Sequence, residues 1–130
     1  MKDKIQVSKV LIQNTDGDFL VLKDRESRHW EPPGGKIEEN EDRFEAAKRE
    51  VLEEVGLEIQ GLEELVRIEV EDSECVNCWI FHSEKFEGDV DLEQDFSEHR
   101  WVSADDFCSM NWKTHAGYDI PVMKRIQEFI

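Results

Sequence analysis

Residues Gly35–Leu57 read GKIEENEDRFEAAKREVLEEVGL. From about Asp42 to Val55 the apolar residues Phe44, Ala47, Val51 and Val55 recur at helical spacing, and Gly56 stands where a C-terminal cap belongs. This is the pattern of one amphipathic helix. Glu50, Glu53 and Glu54 crowd its last turn and a half, within an arc of roughly 100° beside the apolar stripe. Like charges at spacings of three and four destabilise a helix by roughly 0.2–0.5 kcal/mol per pair. The negative end of the helix dipole adds to that cost, because it favours Lys or Arg. Glu38, Glu39, Glu41 and Asp42 lie at the other end, where the dipole welcomes acids and plain solvation accounts for them. For the C-terminal trio two readings stay open. An acidic protein can solvate a helix with acids, or the carboxylates serve a hard cation such as Mg²⁺ or Mn²⁺, whose charge reverses the repulsion.

Working outward, Trp30-Glu31-Pro32-Pro33-Gly34-Gly35 excludes regular helix and holds the chain in a special shape just before the helical segment. Upstream, Ile5 to Gln13 and Phe19 to Lys23 read as strands around a turn at Asn14–Asp18, which predicts a hairpin. Downstream come predicted strands Leu62 to Glu71 and Val76 to Phe86, an acidic loop from Glu87 to Glu98, and a short strand Arg100 to Val102. Ser103 followed by Ala-Asp-Asp has the form of a helix N-cap, and Asp119-Ile120-Pro121 opens a final predicted helix reaching Ile130. No internal repeat is visible. Strands and helices are mixed, with connections too irregular for a repeating βαβ array. The expected class is α+β, with helices packed on a mixed β-sheet in one domain spanning residues 1–130.

The length of 130 residues suits a single core. Thirty-two acidic against 16 basic side chains give a formal charge of −16, which repels duplex nucleic acid and anionic lipid. An anionic substrate would therefore need metal cations between itself and the protein. The opening residues MKDKIQVSKV alternate like a strand and contain no long apolar stretch, so no membrane partner and a cytoplasmic location are expected. Cys75, Cys78 and Cys108 are too few for a disulfide framework. Cys75 and Cys78 form a C-x-x-C, but three apart on a strand they point to opposite faces, which makes buried thiols the expectation for them and for Cys108.

The segment Gly35–Leu57 resembles the Nudix signature G-x5-E-x7-R-E-U-x-E-E-x-G-U, in which U is aliphatic. Gly35, Glu41, Arg49, Glu50, Val51, Glu53, Glu54, Gly56 and Leu57 occupy every specified position. Trp30 to Lys36 and Glu98-His99-Arg100-Trp101-Val102 resemble the flanking segments of MutT-like members, so the likeness covers most of the chain. It implies an α/β/α sandwich whose loop, helix and loop present metal ions to a diphosphate. It further implies that Glu50, Glu53 and Glu54 bind the metals, with the backbone carbonyl of Gly34 or Gly35 completing the set. Glu41 and Arg49 would brace the box without touching substrate. The implied reaction is attack of water on phosphorus after a carboxylate removes its proton. Glu50 is the expected base, and Glu93, Asp95 or Glu98 in the later acidic stretch is the other candidate, with Glu98 ranked first as a further metal ligand.

The likeness also suggests where a nucleotide would sit. Lys23 resembles a basic nucleotide contact, with a surface lysine as the alternative. Asp119 resembles a residue held against a purine edge, with N-capping of the final helix as the alternative. Trp30 and Phe81 could stack on a base, but core packing is the stronger expectation for both. No proline lies between Leu57 and Pro121, and the single tyrosine is Tyr118. The family's markers for ADP-ribose and for diadenosine polyphosphates are thus absent. The resemblance favours a MutT-type nucleoside triphosphate pyrophosphatase that releases a nucleoside monophosphate and pyrophosphate and acts on a substrate such as oxidised dGTP. ADP-ribose or dinucleoside polyphosphate hydrolysis is the runner-up, and a non-catalytic nucleotide-binding regulatory domain is the alternative of another class. Monomer and homodimer both stay open.

Overall fold

The computed structural model describes residues 5–71, 75–110 and 127–129, with side chains described outside 70–76 and 129. Among the described residues, seven strands and two short-to-medium helices follow in the order β1 (Ile5–Ile12), β2 (Phe19–Asp24), β3 (Trp30–Glu31), β4 (Gly34–Lys36), α1 (Arg43–Val55), β5 (Glu58–Glu71), β6 (Cys75–Glu87), β7 (Phe96–Val102) and α2 (Ala104–Cys108). They build two sheets. One is four-stranded and mixed, in the order β4-β1-β6-β5, with β1 and β6 parallel and the other pairs antiparallel. The other is three-stranded and antiparallel, in the order β3-β2-β7.

Two apolar clusters hold these layers together. On β1, Val7 and Leu11 enter one cluster while Val10 and Ile12 enter the other; on β2, Phe19 and Val21 separate from Leu20 and Leu22 in the same way. Strands covered on both faces read as continuous apolar runs, as Val10–Ile12 and Phe19–Leu22 do in the sequence. Helix α1 covers one side through Ala47, Val51 and Val55, and α2 covers the other through Phe107. The result is an α+β fold with a mixed sheet flanked by helices.

The turn at Asn14–Asp18 forms, with the Asn14 side-chain oxygen accepting from the Asp16 and Asp18 backbone N–H groups at 3.1 and 2.9 Å. The predicted hairpin does not. Both edges of β1 are taken, by β4 and by β6, so β2 leaves for the other sheet and keeps one isolated bridge, Gln13 to Phe19. Strand β5 starts at Glu58, four residues before the predicted Leu62, and absorbs register shifts around Gly61 and Glu64. Strand β7 starts at Phe96, so the acidic loop is confined to residues 88–95. Cys78 is buried as expected, whereas Cys108 is exposed because α2 ends there and turns only Phe107 inward. The Cys75 side chain, Asp119 and most of the predicted final helix lie outside the described residues; residues 127–129 form a 3₁₀ turn.

Candidate active site

Helix α1 begins where its sequence says it should. The Asp42 side chain accepts the Glu45 backbone N–H at 2.8 Å, and the Ser8 hydroxyl donates to the Arg43 carbonyl at 2.9 Å, tying the first turn to β1. The helix ends at Gly56 in a left-handed conformation. Its buried face fixes its rotation on the sheet, and that rotation turns Glu50 and Glu54 toward the loop carrying Gly34 and Gly35.

This corner is tightly fitted. The Gly34 N–H donates to Glu54 Oε1 at 2.8 Å, and the side chain of Glu54 is buried. A Cβ on Gly34 would stand 2.1 Å from the Ser8 carbonyl oxygen, and its φ of 148° disfavours any side chain. A Cβ on Gly35 would stand 2.6 Å from the Glu50 carboxyl carbon. Glycine is required at Gly34, where the clash is with backbone, whereas a side chain at Gly35 would displace the Glu50 carboxylate. Burial pushes the Glu54 carboxyl up to about 8, opposed by the Lys9 charge and by the Gly34 N–H. Burial also raises Glu50, against the pull of Arg49.

Arg49 organises the exposed side of the corner. It donates to both Glu41 oxygens, at 2.7 and 3.0 Å, and to the Lys36 carbonyl at 3.1 Å, fastening the loop to the helix. Its remaining nitrogen reaches Glu50 at 3.0 Å and Glu53 at 3.1 Å. The guanidinium thereby holds Glu41 below its ordinary range. It also supplies the positive charge that the last turn of α1 otherwise lacks. Among the described residues no three carboxylates converge on one point; Glu50 and Glu53 turn to Arg49, and Glu54 turns to Gly34. The donor set nonetheless suits a hard divalent cation: carboxylate oxygens, one of them buried, beside glycine backbone that permits close approach.

Of the acidic candidates downstream, the structure sets Glu93 beside the helix. The Asp91 and Glu93 N–H groups donate to the Val55 and Glu54 carbonyls, each at 2.8 Å, capping the end of α1. The pKa of Glu93 is raised by partial desolvation, by a hydrogen bond shared with Asp95, and by the charges of Asp95, Glu50 and Glu53. Glu98 stands on β7 opposite Lys23 of β2, 4.0 Å from the Lys23 ammonium and 2.9 Å from Arg100 Nε. Lys23 and Arg100 both lie over the ring of Trp30, at 5.7 and 4.8 Å. Trp30 and Phe81 are core residues.

Lys9 and Glu31 join this corner without being marked by any motif in the sequence. Lys9 is buried, and its ammonium donates to Glu31 at 3.3 Å and to the Pro32 carbonyl at 3.4 Å, behind the Gly34 corner. The signal in the sequence is a lysine at mid-strand, immediately before the apolar run Val10–Ile12.

A mixed sheet flanked by helices, with a glycine corner and a carboxylate-rich helix end, defines a domain able to present a hard divalent cation at one corner. The NUDIX domain family matches residues 4–125, and the chain belongs to the Nudix family of hydrolases. It is 28% identical over 107 residues to the asymmetrical bis(5'-nucleosyl)-tetraphosphatase of Rattus norvegicus, covering 76% of this chain and 73% of that protein. It is 29% identical over 118 residues to the 8-oxo-dGTP diphosphatase of Escherichia coli (strain K12), covering 83% and 91%. The crystal structure of a MutT protein from Methanosarcina mazei Go1 superposes with a TM-score of 0.78 at 27% identity, covering 98% of this chain and 97% of that one. Nudix hydrolases generally use a divalent metal ion. Among the described residues no helix is long and apolar enough to cross a membrane.

Proposed function

We propose that this Nudix hydrolase is a Mg²⁺- or Mn²⁺-dependent nucleoside triphosphate pyrophosphatase of the MutT type, releasing a nucleoside monophosphate and pyrophosphate and acting on oxidised dGTP. The observation that carries the reading is the buried carboxylate of Glu54 held by the Gly34 N–H, with Glu50 packed against Gly35. Glu50, Glu53 and Glu54, with a carbonyl of Gly34 or Gly35, would hold the metal, and Glu93, whose backbone N–H donates to the Glu54 carbonyl, would add a further carboxylate. When bound, the metal neutralises the diphosphate and makes the attacking water more acidic. Glu50, made more basic by burial, removes the proton of that water. Arg49 and Glu41 keep loop and helix in register during the attack. Lys23 and Glu98 form a polar pair for the nucleotide moiety or, for Glu98, a second ligand position; Asp119 is the proposed contact to the base.

The choice of substrate class rests on the similarity to the 8-oxo-dGTP diphosphatase, which extends over 91% of that protein. The similarity to the asymmetrical tetraphosphatase supports a second reading, cleavage of dinucleoside polyphosphates, and ADP-ribose hydrolysis is the remaining alternative. A cytoplasmic location, as monomer or homodimer, accompanies either one. A non-catalytic nucleotide sensor is disfavoured because all three helix carboxylates are present.

The test is a panel of canonical and oxidised nucleoside triphosphates, dinucleoside polyphosphates and ADP-ribose with Mg²⁺ or Mn²⁺, with products separated by chromatography. Pyrophosphate plus a nucleoside monophosphate supports the MutT-type reading. Two nucleotides from a dinucleoside substrate, at a higher kcat/KM, would replace it with the second.

A further inference from the structure

The acidic loop at 88–95 carries Asp89, Asp91, Glu93 and Asp95 to the end of a helix that already bears Glu50, Glu53 and Glu54. Like charge alone would drive such a loop out into solvent. Two backbone hydrogen bonds to α1 oppose that, from Asp91 and Glu93 to Val55 and Glu54. On the far side the loop meets Arg25, an exposed arginine outside the proposed carboxylate site. The Arg25 Nε donates to the Gln94 carbonyl at 2.8 Å, one terminal nitrogen donates to the Phe96 carbonyl at 3.2 Å, and its backbone N–H donates to the Asp95 carbonyl at 2.8 Å. Three successive carbonyls are thus held by one residue 69 positions or more away in the chain.

The turn that carries Arg25 is itself locked. Asp24 Oδ1 accepts the Glu26 and Ser27 N–H groups at 3.0 and 2.8 Å, and the Asp24 N–H donates to the His29 carbonyl at 2.9 Å. The register between β2 and β7 shifts between Lys23 and Asp24, an irregularity of the kind that re-aims a side chain at the end of a strand. A guanidinium fork suits this role, because its fixed donors can satisfy separate carbonyls at once, whereas an ammonium reaches them one at a time.

We propose that Arg25 is a positioning residue for the hydrolysis, gripping the carbonyls of Gln94, Asp95 and Phe96 so that the Glu93 carboxylate stays against the C-terminal end of α1. The inference deepens the proposed function and rests on its placement of Glu93 in the carboxylate site. Arg25 acts through the loop and touches no reacting atom.

The test is a double-mutant cycle in the full chain with Mg²⁺ and the best nucleotide of the panel, together with amide hydrogen exchange at Asp91 and Glu93. Arg25→Ala is expected to speed exchange at both amides and to lower kcat about tenfold with the nucleotide KM within about twofold, as for residues that orient metal ligands. Arg25→Lys should recover part of the loss. In a Glu93→Gln background the same change should cost less than about twofold, because the carboxylate it positions is already gone. Full multiplicative loss in the double variant, or unchanged kcat with faster exchange, overturns the role of Arg25 alone. Full activity of Glu93→Gln overturns the placement of Glu93 and the proposal with it.

Discussion

The two ends of α1 obey opposite rules. At the N-terminus Asp42 caps the helix, Glu45 sits in the first turn, and every acid suits the local dipole. At the C-terminus Glu50, Glu53 and Glu54 lie where the dipole is negative, with no basic residue in the last turn, and Glu54 is buried as well. One end is built for stability of the helix, and the other departs from it at the carboxylates proposed to hold the metal. Arg49 connects the two tasks: it offsets part of the repulsion and anchors the loop through Glu41.

The largest effect should come from the disfavoured end. Glu50→Gln is expected to lower kcat by about 10²–10⁴-fold if it is the base. Glu54→Gln should raise the metal concentration needed for half-maximal rate as well. Circular dichroism should show both variants folded, and near wild-type turnover in both would refute the assignment of this corner. Next, Arg49→Lys keeps the charge but loses the fork to Glu41, so turnover should fall about 10–100-fold. Steady-state kinetics with Glu41→Gln should give a loss of the same order, and the double variant should fall short of the product.

A third test uses pH. Without metal, Glu54 has a folded pKa near 8, above its value in the unfolded chain, so the native state binds the extra proton between about pH 5 and 8. Its contribution to stability is therefore complete at the acid side of that window and is lost as pH rises through 8. The expected slope is about 1 kcal/mol per pH unit across the window, read by urea unfolding in the presence of a chelator. Glu54→Gln should flatten that slope, and an unchanged slope would assign the burial to another group. Metal affinity should rise with pH over the same range, since binding displaces the proton.

The smallest effect belongs to the favourable end. Asp42→Ala removes the cap and should cost about 0.5–2 kcal/mol of stability while leaving kcat within about twofold. A large loss of turnover in a stably folded Asp42→Ala protein would erase the contrast between the two ends.

Much of this was legible in the sequence because it is local. The start of α1 at Asp42, its end at Gly56 and the face shared by Glu50, Glu53 and Glu54 follow from helical geometry and cap chemistry. The turn at Asn14–Asp18 follows from the Asn14 side chain. The partner of the strand leaving that turn did not follow, because pairing is settled by competition for the edges of β1, which β4 and β6 win from 20 or more residues away. The sequence ranks Glu98 first among the acidic candidates, but their placement is decided over long range for the same reason. Glu93 and Glu98 are equivalent as letters, but the cap on Val55 and Glu54 takes one to α1, while strand pairing with Lys23 takes the other into the second sheet.

The sequence by itself determined the family, the single helix with its carboxylate face, and the α+β class, since each is written in spacings and caps that operate within a few turns of chain. Tertiary structure alone decided which backbone meets those carboxylates. It buried Glu54 against Gly34, set Lys9 behind the corner, split the strands into two sheets, and closed Arg25 on the acidic loop. The physical reason is common to all four: long-range hydrogen bonds and desolvation depend on which distant segments fill the same volume, and no local pattern encodes that.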